Sequence, residues 1–554
     1  MSFNSSEWWK SAILYQIYPR SFYDADNNGI GDLKGITQKL DYLKDGKGGG
    51  LGIDAIWLSP FFRSPMKDFG YDVSDYCDID PIFGTMADFD ELVEEAHKRG
   101  IRILIDLVLN HCSDQHAWFR ESRKDRTNPK ADWFVWKNRG KDGAPPNNWL
   151  GVFGGSAWEY EPNRDQYYLH NFLKEQPDLN WYNPEVQEEI KKIIRFWIGK
   201  GVDGFRLDVA NFYAYDREFR DNPKLPQSHR ALENREGVEY DKYDHCFSKD
   251  RPENFDFLHL IRSTIEESGS HATTIGEIGG IQDLDRLIAL AASYAKGKRH
   301  LHMAYTFSLL GSDIEASHIA KIVELTESYI EDGWPCWSFG NHDCTRVRTR
   351  CRSQKEIDVF HENLMLLLLC MRGTPIIYYG DELGMIEYPI KKEELQDPFG
   401  IAYWPEFPGR DGCRVPFPWN DTPHTQGFSR DHAPWLPAVS PVSLRQEDED
   451  ANSMVALTRE MIRIRKKYPP LALGSLKKIA TENNNLYAFE RSYQGQTLLV
   501  VCNFGETAGH IEMNTEGCNL VPITAFRRNA ELTDNGLTVP PYGFGLIRVG
   551  TSYV

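Results

Sequence analysis

Residues 184–210 read PEVQEEIKKIIRFWIGKGVDGFRLDVA. The first part sets Val186, Ile190, Ile193, Ile194 and Trp197 at helical spacing, which predicts an amphipathic helix over 184–201, and Gly201 supplies its stop. The next segment, GFRLD (204–208), is a short apolar run that predicts a buried strand. A helix leading straight into a buried strand is the repeating unit of a parallel α/β sheet. Alternate side chains of a strand share a face. Arg206 and Asp208 would therefore point one way, and Phe205, Leu207 and Val209 the other. Two readings of that charged pair stand: a structural ion pair at a strand end, or a carboxylate held ionised by a guanidinium and aimed into a pocket.

The same alternation recurs along the chain. AILYQIYP (12–19), IDAIWLSP (53–60), IRILIDLVLNH (101–111), TTIGEI (273–278), HMAYTF (302–307), WPCWSFGNHD (334–343) and TPIIYYGDE (374–382) read as further strands. Helical patterns such as MADFDELVEEAHKRG (86–100) lie between them. Eight strands in this arrangement favour a closed (β/α)8 TIM barrel over an open sheet. The barrel is expected in two parts, 1–111 and 181–470. Residues 112–180, rich in Trp, Asn, Pro and Gly, are too long for a barrel loop and predict an inserted subdomain. After the helix MVALTREMIRIRKKYP (454–469), the runs LYAFERS, TLLVVCNF, GHIEMN and FGLIRVG predict a C-terminal β-sandwich domain over 471–554. DGKGGG (45–50) reads as a flexible surface loop.

Bulk properties exclude several classes. The 554-residue chain carries a net charge of −18, which argues against nucleic-acid and anionic-membrane partners and suits a neutral substrate. The N-terminus lacks the pattern of a secretory leader, and the apolar run MLLLLCM (365–371) falls short of the roughly 18 residues of a membrane helix. The ten cysteines follow no CxxC or regular spacing, so they are expected to be reduced thiols in a cytoplasmic protein.

Barrels of this kind carry their active groups at the C-terminal strand ends. Those ends here hold Asp106 and His111, Arg206 and Asp208, Glu277, and His342 and Asp343. Any one of them alone reads best as a buried ion pair or a satisfied core histidine; together, on successive strand ends, they favour chemistry. Arg206 is expected to depress the pKa of Asp208 and keep it a nucleophilic anion. A second carboxyl, desolvated among like charges, is expected to stay protonated as a general acid. Such a pair is what a retaining glycosidase uses.

DLVLNH (106–111), GFRLDVA (204–210), GEI (276–278) and FGNHD (339–343) resemble the four signature regions of the α-amylase family, glycoside hydrolase family 13. GIDAIWLSP, QPDLN (176–180), GTPIIYYGDELG, YQIYPRSF and YWPEFPGRDGCRVPFPW (403–419) extend the resemblance over essentially the whole chain, in order. QPDLN is typical of the α-glucosidase and oligo-1,6-glucosidase branch. The resemblance implies Asp208 as nucleophile, Glu277 as acid/base and Asp343 as the carboxylate that stabilises the transition state. It implies that Arg206 orients Asp208 and that His111 and His342 bind the glucose ring. Asp68 and Tyr71 of KDFGY would form the floor for the non-reducing glucose, with Arg410 completing it and Phe153 and Gln176 lining the same pocket. A pocket closed in this way implies exo-action on a disaccharide or short oligosaccharide, without an organic cofactor. The family resemblance leaves monomer and homodimer equally open.

The loop DADNNGIGD (24–32) places oxygen donors at Asp24, Asp26, Asn28, the Ile30 carbonyl and Asp32, with Gly29 allowing a sharp turn. Alternate oxygen donors suit a hard cation, and in the resembling family the loop holds one structural Ca²⁺ or Mg²⁺. The alternative is a solvated acidic turn. Val209, next to the nucleophile, accompanies α-1,6 preference in the family. The stretches 147–158 and 211–226, in contrast, resemble enzymes that favour α-1,4 bonds or transglucosylate. The expectation is mixed specificity leaning to α-1,6. Rival readings are a transglucosidase or sucrose-acting enzyme and, more distantly, an inactive binding subunit of the kind that resembles this family but carries a membrane helix.

Overall fold

The computed structural model describes residues 6–226, 238–281, 283–311, 314–351 and 356–550. Eight parallel strands form the central sheet: β1 (Leu14–Ile17), β2 (Ala55–Leu58), β3 (Arg102–Leu107), β4 (Gly204–Leu207), β5 (Thr273–Ile278), β6 (Met303–Thr306), β7 (Cys336–Trp337) and β8 (Thr374–Tyr378). Their order is β6-β5-β4-β3-β2-β1-β8-β7. A parallel bridge between Ala304 and Pro335 joins the two ends, so the sheet closes on itself. The fold is a TIM barrel. The strands are shorter than the apolar runs that announce them, and Asp208 lies one residue beyond β4 rather than within it.

One main helix follows each strand: α1 (Leu33–Leu43), α2 (Met86–Lys98), α3 (Pro184–Gly199), α4 (Asn254–Glu267), α5 (Leu284–Ala295), α6 (Ala316–Ile330), α7 (Ile357–Cys370) and α8 (Met454–Lys467). Local chemistry sets their ends. Thr85 and Asp88 make a reciprocal capping box at α2, and Asn183 caps α3 with Pro184 at its first position. Gly201, at φ 85°, ends α3 in the left-handed conformation that an L side chain resists. The stripe Val186, Ile190, Ile193, Ile194 and Trp197 is buried, and each such side chain contributes about 1.5–3 kcal/mol.

The run MLLLLCM has a different explanation from either a membrane helix or a surface one. It forms the end of α7, which is buried nearly all round because one side packs on the barrel and the other on the C-terminal domain. Asn363 of α7 donates to the carbonyls of Asn503 and Gly543 in that domain. Two fully buried arginines finish the joint. Arg465 donates to the carbonyls of Leu369, Met371, Gly373 and Leu471, and Arg491 to those of Cys370, Gly474 and Ser475. They meet the carbonyl-rich, negative end of α7. No helix among the described residues is long and apolar enough to cross a membrane.

Within the β3–α3 connection, Trp136–Asn138, Gln166–Leu169 and Trp158–Glu161 make a small antiparallel sheet above the barrel. The C-terminal domain has a five-stranded and a three-stranded antiparallel sheet. Leu486, Ala488, Leu499, Val501, Ile511, Leu537, Val539 and Ile547 fill the space between them.

Candidate active site

Arg206 is the hub. It projects from β4, has no solvent exposure, and faces three carboxylates on three neighbouring chain segments. Nη1 donates to Asp106 Oδ1 at 2.7 Å and to Asp208 Oδ1 at 2.7 Å. Nη2 lies 2.5 Å from Glu277 Oε1 and donates to the Tyr305 hydroxyl at 3.1 Å. Strand register explains the meeting. Asp106 on β3 is the register partner of Arg206, and Glu277 on β5 is the partner of Tyr305 on β6. Asp208 comes at the end of β4, where its N–H still donates to the Leu107 carbonyl at 3.1 Å. The chain then turns sharply at Val209, whose φ of 37° is an outlier for a β-branched residue. That turn aims the Val209 N–H at Glu277 Oε2, 3.1 Å away.

A pair of arginines, Arg410 and Arg414, organises the opposite wall. Arg410 donates to Asp68 at 2.8 Å, to Asp343 at 3.1 Å and to Asp397 at 2.7 Å. Arg414 donates to Asp343 at 2.9 Å and to the His342 carbonyl at 2.7 Å. Gln176 donates to Asp68 at 3.1 Å and lies 3.2 Å from His111 Nε2, while Phe153 lies under the Arg410 guanidinium at 4.9 Å. Tyr71 links the walls. Its hydroxyl donates to Asp106 at 3.1 Å and hydrogen-bonds His342 Nε2. The Gln16 amide donates to His342 Nδ1 at 2.8 Å, so the ring proton sits on Nε2, facing Tyr71 and Asp343.

Charge balance separates the groups. Burial pulls His111 and His342 down to about 3, so both imidazoles are neutral hydrogen-bonding groups. Burial pushes Asp343 up, but His342, Arg410, Arg414 and Arg206 outweigh it and hold the carboxyl well below the usual range. Burial raises Glu277 to about 7, with Arg206 opposing and Asp343 adding to the rise. Asp208 departs from expectation. Arg206 does lower its pKa, yet burial and the neighbouring Glu277, Asp106 and Asp343 carboxylates raise it by more, and the net direction is upward. The reason is that one guanidinium is divided among three carboxylates. Asp208 and Glu277 face the same guanidinium, and the Glu277 carboxylate adds to the rise at Asp208, so the two titrate as a pair.

Asp208, Glu277, Asp343, Asp68, Tyr71, His111, Phe153, Gln176, Arg206, Val209, His342 and Arg410 thus line one connected network. Sequence reading missed Gln16, Tyr305, Asp397 and Arg414, and also Trp57, whose indole N–H donates to Asp106 Oδ2 at 3.3 Å. Arg414 was legible, four residues after Arg410 in GRDGCR, whereas the pairing of Tyr305 with Glu277 follows only from strand register. Asp397, in LQDPFG, carries no local sign of its contact with Arg410.

The loop after β1 stands apart from this network. Asp24, Asp26 and Asp32 bring carboxylate oxygens within 4.8 Å of one another. Asp24 and Asp32 are buried, and burial raises both their pKa values. Asn28 accepts from the Ile30 N–H at 2.8 Å and donates to Asp26 at 3.0 Å. Among the described residues no Lys or Arg pairs with the three carboxylates, so the all-oxygen donor set fits a hard cation.

Residues 16–474 match the family described as alpha amylase, catalytic domain, and residues 476–546 match maltogenic amylase, C-terminal domain. A probable alpha-glucosidase of Rhizobium meliloti (strain 1021) is 44% identical over 543 residues, covering 97% of this chain and 96% of its own. An oligo-1,6-glucosidase of Halalkalibacterium halodurans is 37% identical over 534 residues, covering 90% of this chain and 91% of its own. A solved alpha-glucosyl transfer enzyme superposes with a TM-score of 0.91 at 41% identity, covering 98% of this chain and 99% of that one. With barrel and C-terminal domain both matched along nearly their full length, the chain belongs to the α-amylase family, glycoside hydrolase family 13.

Proposed function

We propose that this chain is a retaining, exo-acting α-glucosidase that removes glucose from the non-reducing end of short α-glucosides, both α-1,6 and α-1,4 linked. One observation carries the reading: a single buried guanidinium, Arg206, contacts both Asp208 and Glu277. That arrangement suits the roughly 5–5.5 Å carboxyl separation of a retaining pair. Asp208 attacks the anomeric carbon while Glu277 protonates the leaving oxygen. Glu277, now ionised, then takes a proton from water, which displaces Asp208 and releases glucose with its α configuration retained. Asp343, held ionised by Arg410 and Arg414, faces the positive charge that develops on the ring. The Asp68–Arg410 ion pair supports exo-action as the wall that would close the pocket beyond one glucose unit.

Asp24, Asp26 and Asp32, with Asn28 and the Ile30 carbonyl, would hold one Ca²⁺ or Mg²⁺, which would brace the loop after β1 without taking part in the chemistry. The ten free thiols suit the cytoplasm. The likeness to an alpha-glucosyl transfer enzyme favours a second reading, transfer of glucose to a sugar acceptor from the same glucosyl-enzyme.

The test is glucose release from maltose, isomaltose and sucrose with wild type, Asp208→Asn and Glu277→Gln. Turnover of at least one sugar by wild type, and a loss of more than about 10³-fold in Asp208→Asn, is expected. Near-wild-type activity in Asp208→Asn would sink the assignment. Transfer products exceeding free glucose at high substrate would favour the transglucosidase.

A further inference from the structure

We propose that Tyr305 is a positioning residue that, with Arg206, anchors Oε1 of Glu277 and so assigns the catalytic proton to Oε2. This deepens the α-glucosidase reading and rests on it. The argument is a count of hydrogen-bond capacity. A protonated carboxyl has a carbonyl oxygen that accepts two bonds and a hydroxyl oxygen that accepts one and donates one. Oε1 of Glu277 faces two groups that favour it as an acceptor: the Arg206 guanidinium, in an ion pair with Nη2 at 2.5 Å, and the Tyr305 hydroxyl, which donates at 3.3 Å. Oε2 faces one, the Val209 N–H at 3.1 Å. Oε1 is therefore the carbonyl oxygen, and Oε2 carries the proton it donates to the substrate.

The Tyr305 hydroxyl can do this because its own bonds run in series: it accepts from Arg206 Nη2 at 3.1 Å and donates onward to Glu277. Its ring is 2% exposed and packs near Trp57, with ring centroids 6.1 Å apart, so the hydroxyl has no solvent alternative. In the first half-reaction Oε2 gives its proton to the glycosidic oxygen as the C–O bond breaks. In the second, Oε2 takes a proton from the attacking water as the Asp208 ester opens. Tyr305 keeps its proton throughout and favours the ionised carboxylate between the two steps.

Other charged groups also set the titration of Glu277. Arg206 and Asp208 face it from β4, Asp106 from β3 and Asp343 from the segment after β7. Tyr213, also buried, adds its hydroxyl nearby. Tyr305→Phe leaves all of these side chains in place and takes from them only the bond that Arg206 Nη2 donates to the hydroxyl.

The experiment is the pH profile of kcat/KM for an aryl α-glucoside in wild type, Tyr305→Phe, Glu277→Gln and the double variant. Removing a donor to the carboxylate should move the alkaline limb of Tyr305→Phe upward by about 0.5–1 pH unit and lower the plateau about tenfold. In the Glu277→Gln background the same change should cost less than about twofold. An unmoved limb, or an equal tenfold loss in the glutamine background, overturns the proposal. If Tyr305→Phe does not fold, 3,5-difluorotyrosine at position 305 serves instead. As a stronger donor of similar size, it must move the limb downward, and no movement refutes the assignment. Full activity of Glu277→Gln alone would instead refute the α-glucosidase reading itself.

Discussion

Replacing Arg410 by lysine probes how much of the glucose pocket depends on the shape of one cation rather than on its charge. Arg410 reaches three carboxylates at once: Asp68 at 2.8 Å, Asp343 at 3.1 Å and Asp397 at 2.7 Å, with its Nε 3.1 Å from the second oxygen of Asp397. A lysine keeps the charge but offers donors around a single nitrogen, which cannot bridge groups spread around a planar fork. At least one of the two carboxylates proposed to face the sugar, Asp68 or Asp343, loses its bond to residue 410, although Gln176 and Arg414 still reach them. A charge-assisted hydrogen bond is worth about 1.5–3 kcal/mol, so kcat/KM should fall about 10- to 150-fold. The loss arises in the glucose subsite and should be the same for a disaccharide and for an aryl α-glucoside. Net charge is unchanged, so the melting temperature should move by only a few degrees. Steady-state kinetics on both substrates, with a melting curve, decides the matter. A fall of less than threefold would refute the reasoning, as would a loss confined to the disaccharide.

The upward shift of Glu277 to about 7 predicts that kcat/KM falls above that pH, approaching tenfold per unit, because the acid loses its proton there; a rate still rising at pH 9 would contradict it. Asp178 is buried with no cationic partner among the described residues and is pushed up to about 7 by that burial. The folded state then binds a proton that the unfolded chain releases near 4, so stability declines as pH rises from about 4 to 7. Asp178→Asn should flatten that slope by a few kcal/mol relative to wild type in denaturant titrations across this range. A chelator should lower the melting temperature by a few degrees, restored by Ca²⁺ or Mg²⁺, and Asp24→Ala should abolish the response; a melt indifferent to chelator would remove the cation from the loop. Arg491→Met should loosen the C-terminal domain by leaving the carbonyls at the end of α7 unpaired, at a cost of about 1–3 kcal/mol, while kcat/KM at 25 °C stays within twofold.

The alternation of strands and helices, the apolar stripe of α3, the stop at Gly201 and the strand-end position of Arg206 and Asp208 were all legible in the sequence. These depend on residues within a turn or two of one another, where backbone stereochemistry and side-chain periodicity act directly. The roles that the family resemblance implies for Asp208, Glu277 and Asp343 have another source: the motifs that carry them are short, contiguous and in family order. The tertiary structure alone decided how charge is divided. Arg206 looked like a private partner of Asp208, but the barrel also brings Asp106, from 100 residues earlier, to the same nitrogen, and the shared guanidinium no longer offsets burial. Likewise the Asp397–Arg410 contact, the Tyr305 hydroxyl at Glu277 and the burial of MLLLLCM against a second domain have no local signature. Desolvation and Coulomb energies are set by through-space distances between segments that the chain keeps far apart, and only the closed barrel brings those segments together.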